Sequence, residues 1–213
     1  MKRFVVFLAV TVICLYTSNE VSFAQHKHRK AKSISNDDSS HVQYDKKGSA
    51  ISKTNADSVS ELRVVDAKAA ASIKEIVGSY LDLKNALVND KTIEAAKAGT
   101  ALEGAFKKFD KKNLTVSQRK IYQDLEDDAT EHGEHIGANA GNIEHQREHF
   151  DMLSKDIYDL VNAFGSGGLL YKDFCPMYNN KKGAIWLSEK KEIKNPYYGK
   201  KMLTCGSVKE EIK

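Results

Sequence analysis

Sulfur-containing residues near the C-terminus carry the clearest chemistry in this sequence. Met177 stands two residues after Cys175, and Met202 stands three residues before Cys205. Thiolate and thioether sulfurs are soft donors that suit Cu(I), and thiolates also suit Zn(II). Two such arms can close a site of three or four sulfurs. A soft metal ion is therefore one interpretation of the pattern, with Cu(I) as the first candidate and Ag(I) or Zn(II) as the others.

A disulfide is the alternative interpretation of the same cysteines. Two cysteines in an exported protein suggest a disulfide by default. A bond between Cys175 and Cys205 would close a loop of about 30 residues and stabilise a small domain by a few kcal/mol. Met177 and Met202 would then be ordinary core residues. The spacing alone slightly favours the disulfide, because neither half is the strong C-x-x-C pattern, and it leaves the metal site open.

Histidines in the middle of the chain add nitrogen donors. His145 and His149 are four residues apart, and Met152 continues their stripe at the edge of an apolar helix face. His132 and His135 lie near the end of the preceding helix, so we expect His135 to face His149 across the helix pair. Histidines at i and i+4 have a geometry that can chelate a metal ion.

Catalytic patterns are not found in the sequence. It contains no recognisable Ser/His/Asp arrangement and no Gly-rich phosphate loop after a strand, because the glycines between Gly165 and Gly168 are better interpreted as a helix stop. The 33 basic and 29 acidic residues are interspersed and leave a net charge of +4, which is no footprint of nucleic-acid binding. We therefore expect a protein that is not an enzyme and has no nucleic-acid partner.

Four amphipathic helices must position these residues. Between about residue 58 and residue 164, apolar residues recur every three or four positions in four segments. Thr115 and Gln118 form a predicted capping box before the third helix, and Asn142 is the predicted cap of the fourth. Short turns between the segments predict an all-α, up-down-up-down four-helix bundle.

The last 45 residues differ from the helical part. They have no useful helical period, yet they contain Trp186, Tyr197 and Tyr198, which are too apolar for a disordered tail. We predict an ordered, irregular tail packed on the bundle. A short β-hairpin between residues 183–187 and 201–204 is the candidate for its regular part.

The N-terminus has the pattern of a secretory signal peptide. Lys2 and Arg3 precede an apolar run from Phe4 to Tyr16, which is too short to span a bilayer comfortably. We predict a signal peptide over residues 1–24, a disordered linker over 25–57 and one domain over 58–213. This predicts a periplasmic or extracellular protein that contacts the membrane only through its signal peptide. A lipoprotein signal at Cys14 is disfavoured because Ile13 is not small, and an uncleaved membrane anchor is the further alternative.

A series of ordered motifs resembles a known family. They are Glu144–Phe150, Phe174–Met177, Gly183–Ser188, Glu192–Gly199 and Lys201–Gly206. Over roughly residues 68 to 208 the chain resembles the family called domain of unknown function 3347. Members occur alone in exported proteins and fused to CusB-type periplasmic adaptors of copper and silver efflux pumps. Unlike those adaptors, this sequence has only a linker before the helices.

The resemblance implies a role in handling copper or a similar soft metal. It also implies a partner, which would be a metal efflux or adaptor protein. The function expected is therefore metal sequestration or hand-over, and the alternative is a helical interaction module pinned by a Cys175–Cys205 disulfide. Carried over by position, the predicted metal ligands are His135, His149, Cys175, Met177, Met202 and Cys205, with His145 and Met152 as additional candidates.

Overall fold

The computed structural model describes residues 65–213, in which four long helices pack together. They are α1 (Ala67–Val88), α2 (Thr92–Lys108), α3 (Val116–Ala138) and α4 (Ile143–Phe164), with a 3₁₀ turn at Lys111–Asn113. The predicted signal peptide, linker and domain start lie outside the described residues. Between residues 65 and 213, no helix is long and apolar enough to cross a membrane.

Side-chain caps set where two of these helices begin. The Thr115 side chain accepts a hydrogen bond from the Gln118 N–H at 3.2 Å, and the Gln118 side chain accepts one from the Thr115 N–H at 3.0 Å. The predicted capping box of α3 is therefore confirmed. The Asn142 side chain accepts a hydrogen bond from the His145 N–H at 3.3 Å, which confirms the predicted cap of α4 and places His145 in its first turn.

One apolar core lies between the helices. Each helix turns a face of apolar side chains inward, at the three- and four-residue spacings that the sequence predicts. The expectation of four packed helices is confirmed. Fully buried members include Ile73, Tyr80 and Leu87 of α1, Leu102 and Phe106 of α2, Tyr122 and Ile136 of α3, and Phe150, Ile157 and Leu160 of α4.

Small residues let α2 and α3 approach each other closely. A Cβ atom on Gly99 would lie 2.9 Å from the Gly133 carbonyl oxygen and 2.7 Å from the Ile136 side chain. A side chain at position 99 would push the two helices apart, so their close contact depends on glycine there; a Cβ atom on Gly133 would also be tightly placed, 3.1 Å from the Gly99 carbonyl oxygen. This close contact holds the part of α3 that carries His132 and His135 against α2.

The C-terminal segment folds as a three-stranded antiparallel sheet. The strands are β1 (Leu170–Cys175), β2 (Ala184–Ser188) and β3 (Ser207–Ile212), in the order β2-β1-β3. Cys175 pairs with Ala184, and Phe174 pairs with Ser207. The predicted irregular tail is therefore wrong in part. The predicted hairpin partner, residues 201–204, was also wrong, because β2 pairs with β1 while Gly199–Met202 forms a 3₁₀ turn.

Two buried polar side chains of the helices hold this segment in place. The Tyr80 hydroxyl lies 2.9 Å from the Ser154 hydroxyl and accepts a hydrogen bond from the Leu187 N–H of β2 at 3.0 Å. Arg147 of α4 donates to the Pro196 carbonyl oxygen at 2.8 Å and pairs with the Asp90 carboxylate at 2.7 Å. The sheet and its loops therefore pack on α1 and α4 through specific hydrogen bonds as well as apolar contacts.

Candidate metal-binding clusters

Three histidines on α3 and α4 form what we call the histidine cluster: His135, His145 and His149. One ring nitrogen from each lies within 4.8 Å of the others. The His135 and His149 rings are nearly parallel with their centres 4.4 Å apart, and the His145 and His149 ring centres are 4.6 Å apart. The expectation that His135 faces His149 is confirmed. Three imidazoles at this spacing can converge on one metal ion and leave a further position for a water or another ligand.

The surroundings of the cluster suit a cation. Glu131 Oε1 lies 3.8 Å from His135 Nε2, and Glu148 Oε2 lies 3.7 Å from His145 Nδ1. His149 is buried, while His135 and His145 are partly exposed, so solvent reaches one side of the cluster. Carboxylates beside ligand histidines raise their basicity and orient their rings.

His132 supports the cluster from inside the protein. Its ring is buried, and its Nδ1 atom lies 3.2 Å from Nδ1 of His149. On its other side, Nε2 of His132 lies 4.0 Å from a carboxylate oxygen of Asp156. Burial and the neighbouring charges of Asp128 and Asp159 raise the pKa of Asp156 to about 7. Polar side chains therefore continue from His149 through His132 to Asp156 along the contact between α3 and α4.

The helix junction sets the position of each histidine. Gln146 is fully buried, and its side-chain amide donates to the Ile136 carbonyl at 3.2 Å and to the Thr92 carbonyl at 3.0 Å. The Asn139 side chain donates to the His135 carbonyl at 2.8 Å at the end of α3. Sequence reasoning missed Gln146, although its place between two histidines of a capped helix was a usable signal.

The two cysteines form a second cluster, here called the thiol pair. Cys175 ends β1 and is fully buried, whereas Cys205 is partly exposed; both are free cysteines. Their sulfur atoms are 3.8 Å apart, well beyond the bond length of about 2.05 Å in a disulfide. Burial and the hydrogen bond to Cys175 raise the pKa of the Cys205 thiol.

Asn195 holds the loop that presents Cys205. Its side chain is fully buried and donates to the Cys205 carbonyl at 2.6 Å. It also accepts hydrogen bonds from the N–H groups of Tyr197 and Tyr198, at 2.8 and 3.1 Å. The Asn195 N–H donates to the Leu203 carbonyl at 2.7 Å. Sequence reasoning placed Asn195 in a motif but did not assign it this positioning role.

The methionines lie in the segments next to the thiol pair. Met177 is 42% exposed and Met202 is 38% exposed. The Tyr198 hydroxyl donates to the Met177 carbonyl at 3.0 Å. Burial and the neighbouring Cys175 and Cys205 raise the pKa of Tyr198, which places this ring beside the thiol pair. Both methionine side chains are thus exposed, and each stands within three residues of a cysteine in the sequence.

The predicted ligands therefore divide into two groups. Among residues 65–213, the only group of at least three potential His, Cys, Asp or Glu ligands that converge is the histidine cluster, and it contains neither cysteine. On α4, His145 and His149 face α3, whereas Glu144, Arg147 and Glu148 line a cleft with the tail tyrosines. Met152 lies three residues beyond His149 and is partly buried.

A family model matches most of the helical part of the chain. The sequence model of a family described as a protein of unknown function, DUF3347, matches residues 76–168. The family recognised from the sequence is thus confirmed over this segment, which holds the histidine cluster and ends before β1. No curated protein and no solved structure matches the chain.

Proposed function

We propose that this chain, whose helices match DUF3347, is an exported protein that binds a soft metal ion for sequestration or hand-over. Copper is the first candidate, and Ag(I) or Zn(II) are the others. The observation that supports this most directly is the convergence of His135, His145 and His149 within 4.8 Å. Imidazole nitrogen suits copper and zinc, and two carboxylates nearby add favourable charge.

The helical frame favours metal binding over a chance cluster. Gln146 and the cap at Asn142 fix the start of α4, and the Gly99–Gly133 contact fixes α3. We also propose that the helices alternate in direction, since loops this short join neighbours that pack together. Alternation would place the end of α3 beside the start of α4, where the histidines lie.

Hand-over requires that ligands can be exchanged one at a time. His135 and His145 are partly exposed, and the sulfurs of Met177 and Met202 belong to exposed side chains. A partner that offers its own soft donors can therefore reach the ion. We propose that the partner is a metal efflux or adaptor protein and that the chain itself catalyses no reaction.

Metal titration of the mature chain, residues 25–213, tests the proposal. Cu(I) under anaerobic reducing conditions and Cu(II) in air are each titrated in competition with a chelator, on wild type and on the double variant His135→Ala/His149→Ala. We expect the wild type to compete with the chelator for at least one of the two ions. If His135 and His149 hold that ion, the double variant should bind it about 100-fold more weakly than the wild type does. His41→Ala, outside the cluster in sequence, is the matched control and should bind as the wild type does.

A second outcome would replace the proposal. If the wild-type chain competes for neither ion and contains no free thiol as isolated, Cys175 and Cys205 form a disulfide. Their 3.8 Å separation makes that bond reachable by a small rotation of the side chains. The tail would then pin a helical module that binds protein partners, and no metal function would stand.

A further inference from the structure

We propose that the chain carries two separate metal sites of different chemistry, so that it holds two ions at once. The histidine cluster takes a borderline ion, Cu(II) or Zn(II). The thiol pair, completed by Met177 or Met202, takes Cu(I). This inference rests on the proposed metal-binding function and specifies which ion each cluster selects.

The two clusters lie on different sides of α4. His145 and His149 point from α4 towards His135 of α3. The tail packs against another face of α4, where Arg147 bonds to the Pro196 carbonyl and Glu148 joins the cleft lined by the tail tyrosines. Glu148 and His149 are neighbours in sequence, and successive helical residues point roughly 100° apart. Within residues 65–213 no converging group of ligands joins these histidines to a cysteine, so one ion does not collect both sets while the tail remains docked.

Donor chemistry separates the ions that the two clusters prefer. The histidine cluster offers neutral imidazoles with two carboxylates close by, a combination that suits Cu(II) or Zn(II). The tail offers thiols and thioethers, which are the soft donors that select Cu(I). One chain therefore presents a borderline site and a soft site.

The spacing of the thiol pair fits two ligands of one ion. Two sulfurs bonded at about 2.3 Å to a tetrahedral ion lie about 3.8 Å apart. The Cys175 and Cys205 sulfurs are 3.8 Å apart in the structure, so neither side chain has to move far. Cys175 is buried at the end of β1, while the partly exposed Cys205 provides the entry side.

The backbone around Cys205 is fixed before any metal arrives. Asn195 anchors the Cys205 carbonyl from a fully buried position. Gly206 follows at φ 150°, and a Cβ atom there would lie 2.8 Å from the Trp186 ring. The Cys205 N–H donates to the Met202 carbonyl at 3.0 Å, which holds the thioether segment in a tight turn against the cysteine. Such pre-organisation lowers the entropic cost of metal binding.

Crosswise variants test this inference. Wild type, His135→Ala/His149→Ala and Cys175→Ser/Cys205→Ser are each loaded with Cu(II) in air, and separately with Cu(I) under anaerobic reducing conditions. Paramagnetic resonance reports nitrogen ligands on Cu(II), and chelator competition reports Cu(I) affinity. We expect the histidine variant to lose the nitrogen-ligated Cu(II) signal and keep Cu(I), and the cysteine variant to do the reverse. Each loss should be about 100-fold or more in affinity.

Milder variants guard against misfolding as the cause of a loss. Met202→Leu keeps the apolar volume and removes only a thioether, so it should weaken Cu(I) alone. Far-UV circular dichroism should show unchanged helix in every variant. If the sites coincide, both double variants will lose the same ion, which overturns the inference while metal binding stands. The inference is also overturned if both double variants still bind Cu(I). If wild type binds neither ion, the proposed function fails as well.

Discussion

The histidine cluster and the thiol pair are built in opposite ways. The histidines come from one continuous stretch, residues 135–149, formed by the end of α3, a four-residue loop and the start of α4. The cysteines are 30 positions apart and meet only because β1, β3 and the loop around Asn195 assemble on the helices. One cluster depends on local helix geometry, and the other depends on long-range packing.

This difference predicts that the two clusters can be disrupted separately. Opening the tail should scatter the cysteines while the α3–α4 pair keeps its histidines in place. Local helix contacts form at low entropic cost, whereas distant pairings require a larger loop to be closed. Arg147 is one of the residues that connect the two regions, because it lies on α4 and bonds to the tail.

Arg147→Ala should have the largest effect on the tail. It removes the bonds to the Pro196 and Leu87 carbonyls and leaves the Asp90 carboxylate without its buried partner. Each buried carbonyl that loses its donor costs about 1–3 kcal/mol, whereas the pair with the exposed Asp90 carboxylate adds little. Denaturant unfolding should show this loss, and amide exchange should rise first in residues 195–205. Arg119→Ala, at an exposed position, should change stability by less than about 0.5 kcal/mol.

Gly206→Ala should destabilise the tail next to the thiol pair. Gly206 has φ 150°, and an added Cβ would lie 2.8 Å from the Trp186 ring and 3.0 Å from the Phe174 carbonyl. We expect a loss of about 2–3 kcal/mol and displacement of the adjacent Cys205. Urea unfolding and thiol reactivity measure the two effects. Gly104→Ala in α2, where no atom lies within 4 Å, should instead stabilise the protein by about 0.5–1 kcal/mol.

Asp156→Asn should change how stability of the helical region depends on pH. Burial, Asp128 and Asp159 raise the folded-state pKa of Asp156 from 3.8 to about 7, against an opposing effect of Lys155. The native state therefore holds this proton more tightly than the unfolded state between these two values. Its contribution to stability is fully present below about pH 4 and is lost as pH rises through 7. His132, 4.0 Å away, is the other titratable neighbour.

The stability of Asp156→Asn relative to the wild type should therefore increase as pH rises. We expect little difference at pH 4 and a more stable variant at pH 8, by about 1–2 kcal/mol after allowance for partial exposure. Thermal unfolding at a series of pH values measures the gap. Asp82→Asn, at an exposed position of α1, should show no such trend. A stability difference between variant and wild type that stays constant from pH 4 to pH 8 would contradict the raised pKa of Asp156.

Thr115→Ala should have the smallest effect and should spare both metal clusters. It removes the side-chain half of the capping box at the start of α3, far in sequence from His135. The expected loss is about 1 kcal/mol by thermal unfolding, because one N–H at the helix start loses its partner. Ser117→Ala, exposed in the same turn, is the control and should be near neutral. A change in metal affinity would show that the cluster depends on more than its local helix junction.

Sequence reasoning succeeded where contacts are local. The capping box at Thr115, the cap at Asn142 and the pairing of His135 with His149 follow from spacing along helices, and the structure confirms all three. The amphipathic period also identified the buried faces, since a 3.6-residue repeat fixes which side chains share a face.

The tail was only partly predictable because its pairings are distant and its strands are atypical. Asp173 lies fully buried in the centre of β1, where burial raises its pKa to about 7, so the alternating apolar pattern of a strand is interrupted. β3 is mostly charged and exposed, which hides it from a search for apolar alternation. Asn195 and Arg147 act through partners that no sequence spacing indicates.

The charged residues of β3 also affect whether copies of this protein associate with one another. β3 stands at one edge of the sheet, and an unpaired edge invites hydrogen bonding with a strand of another molecule. Lys209, Glu210 and Glu211 are exposed along that edge. Their charges and tight hydration oppose edge-to-edge association, so the chain should stay soluble at high concentration. Self-association should therefore increase if these three residues are replaced by Val or Thr.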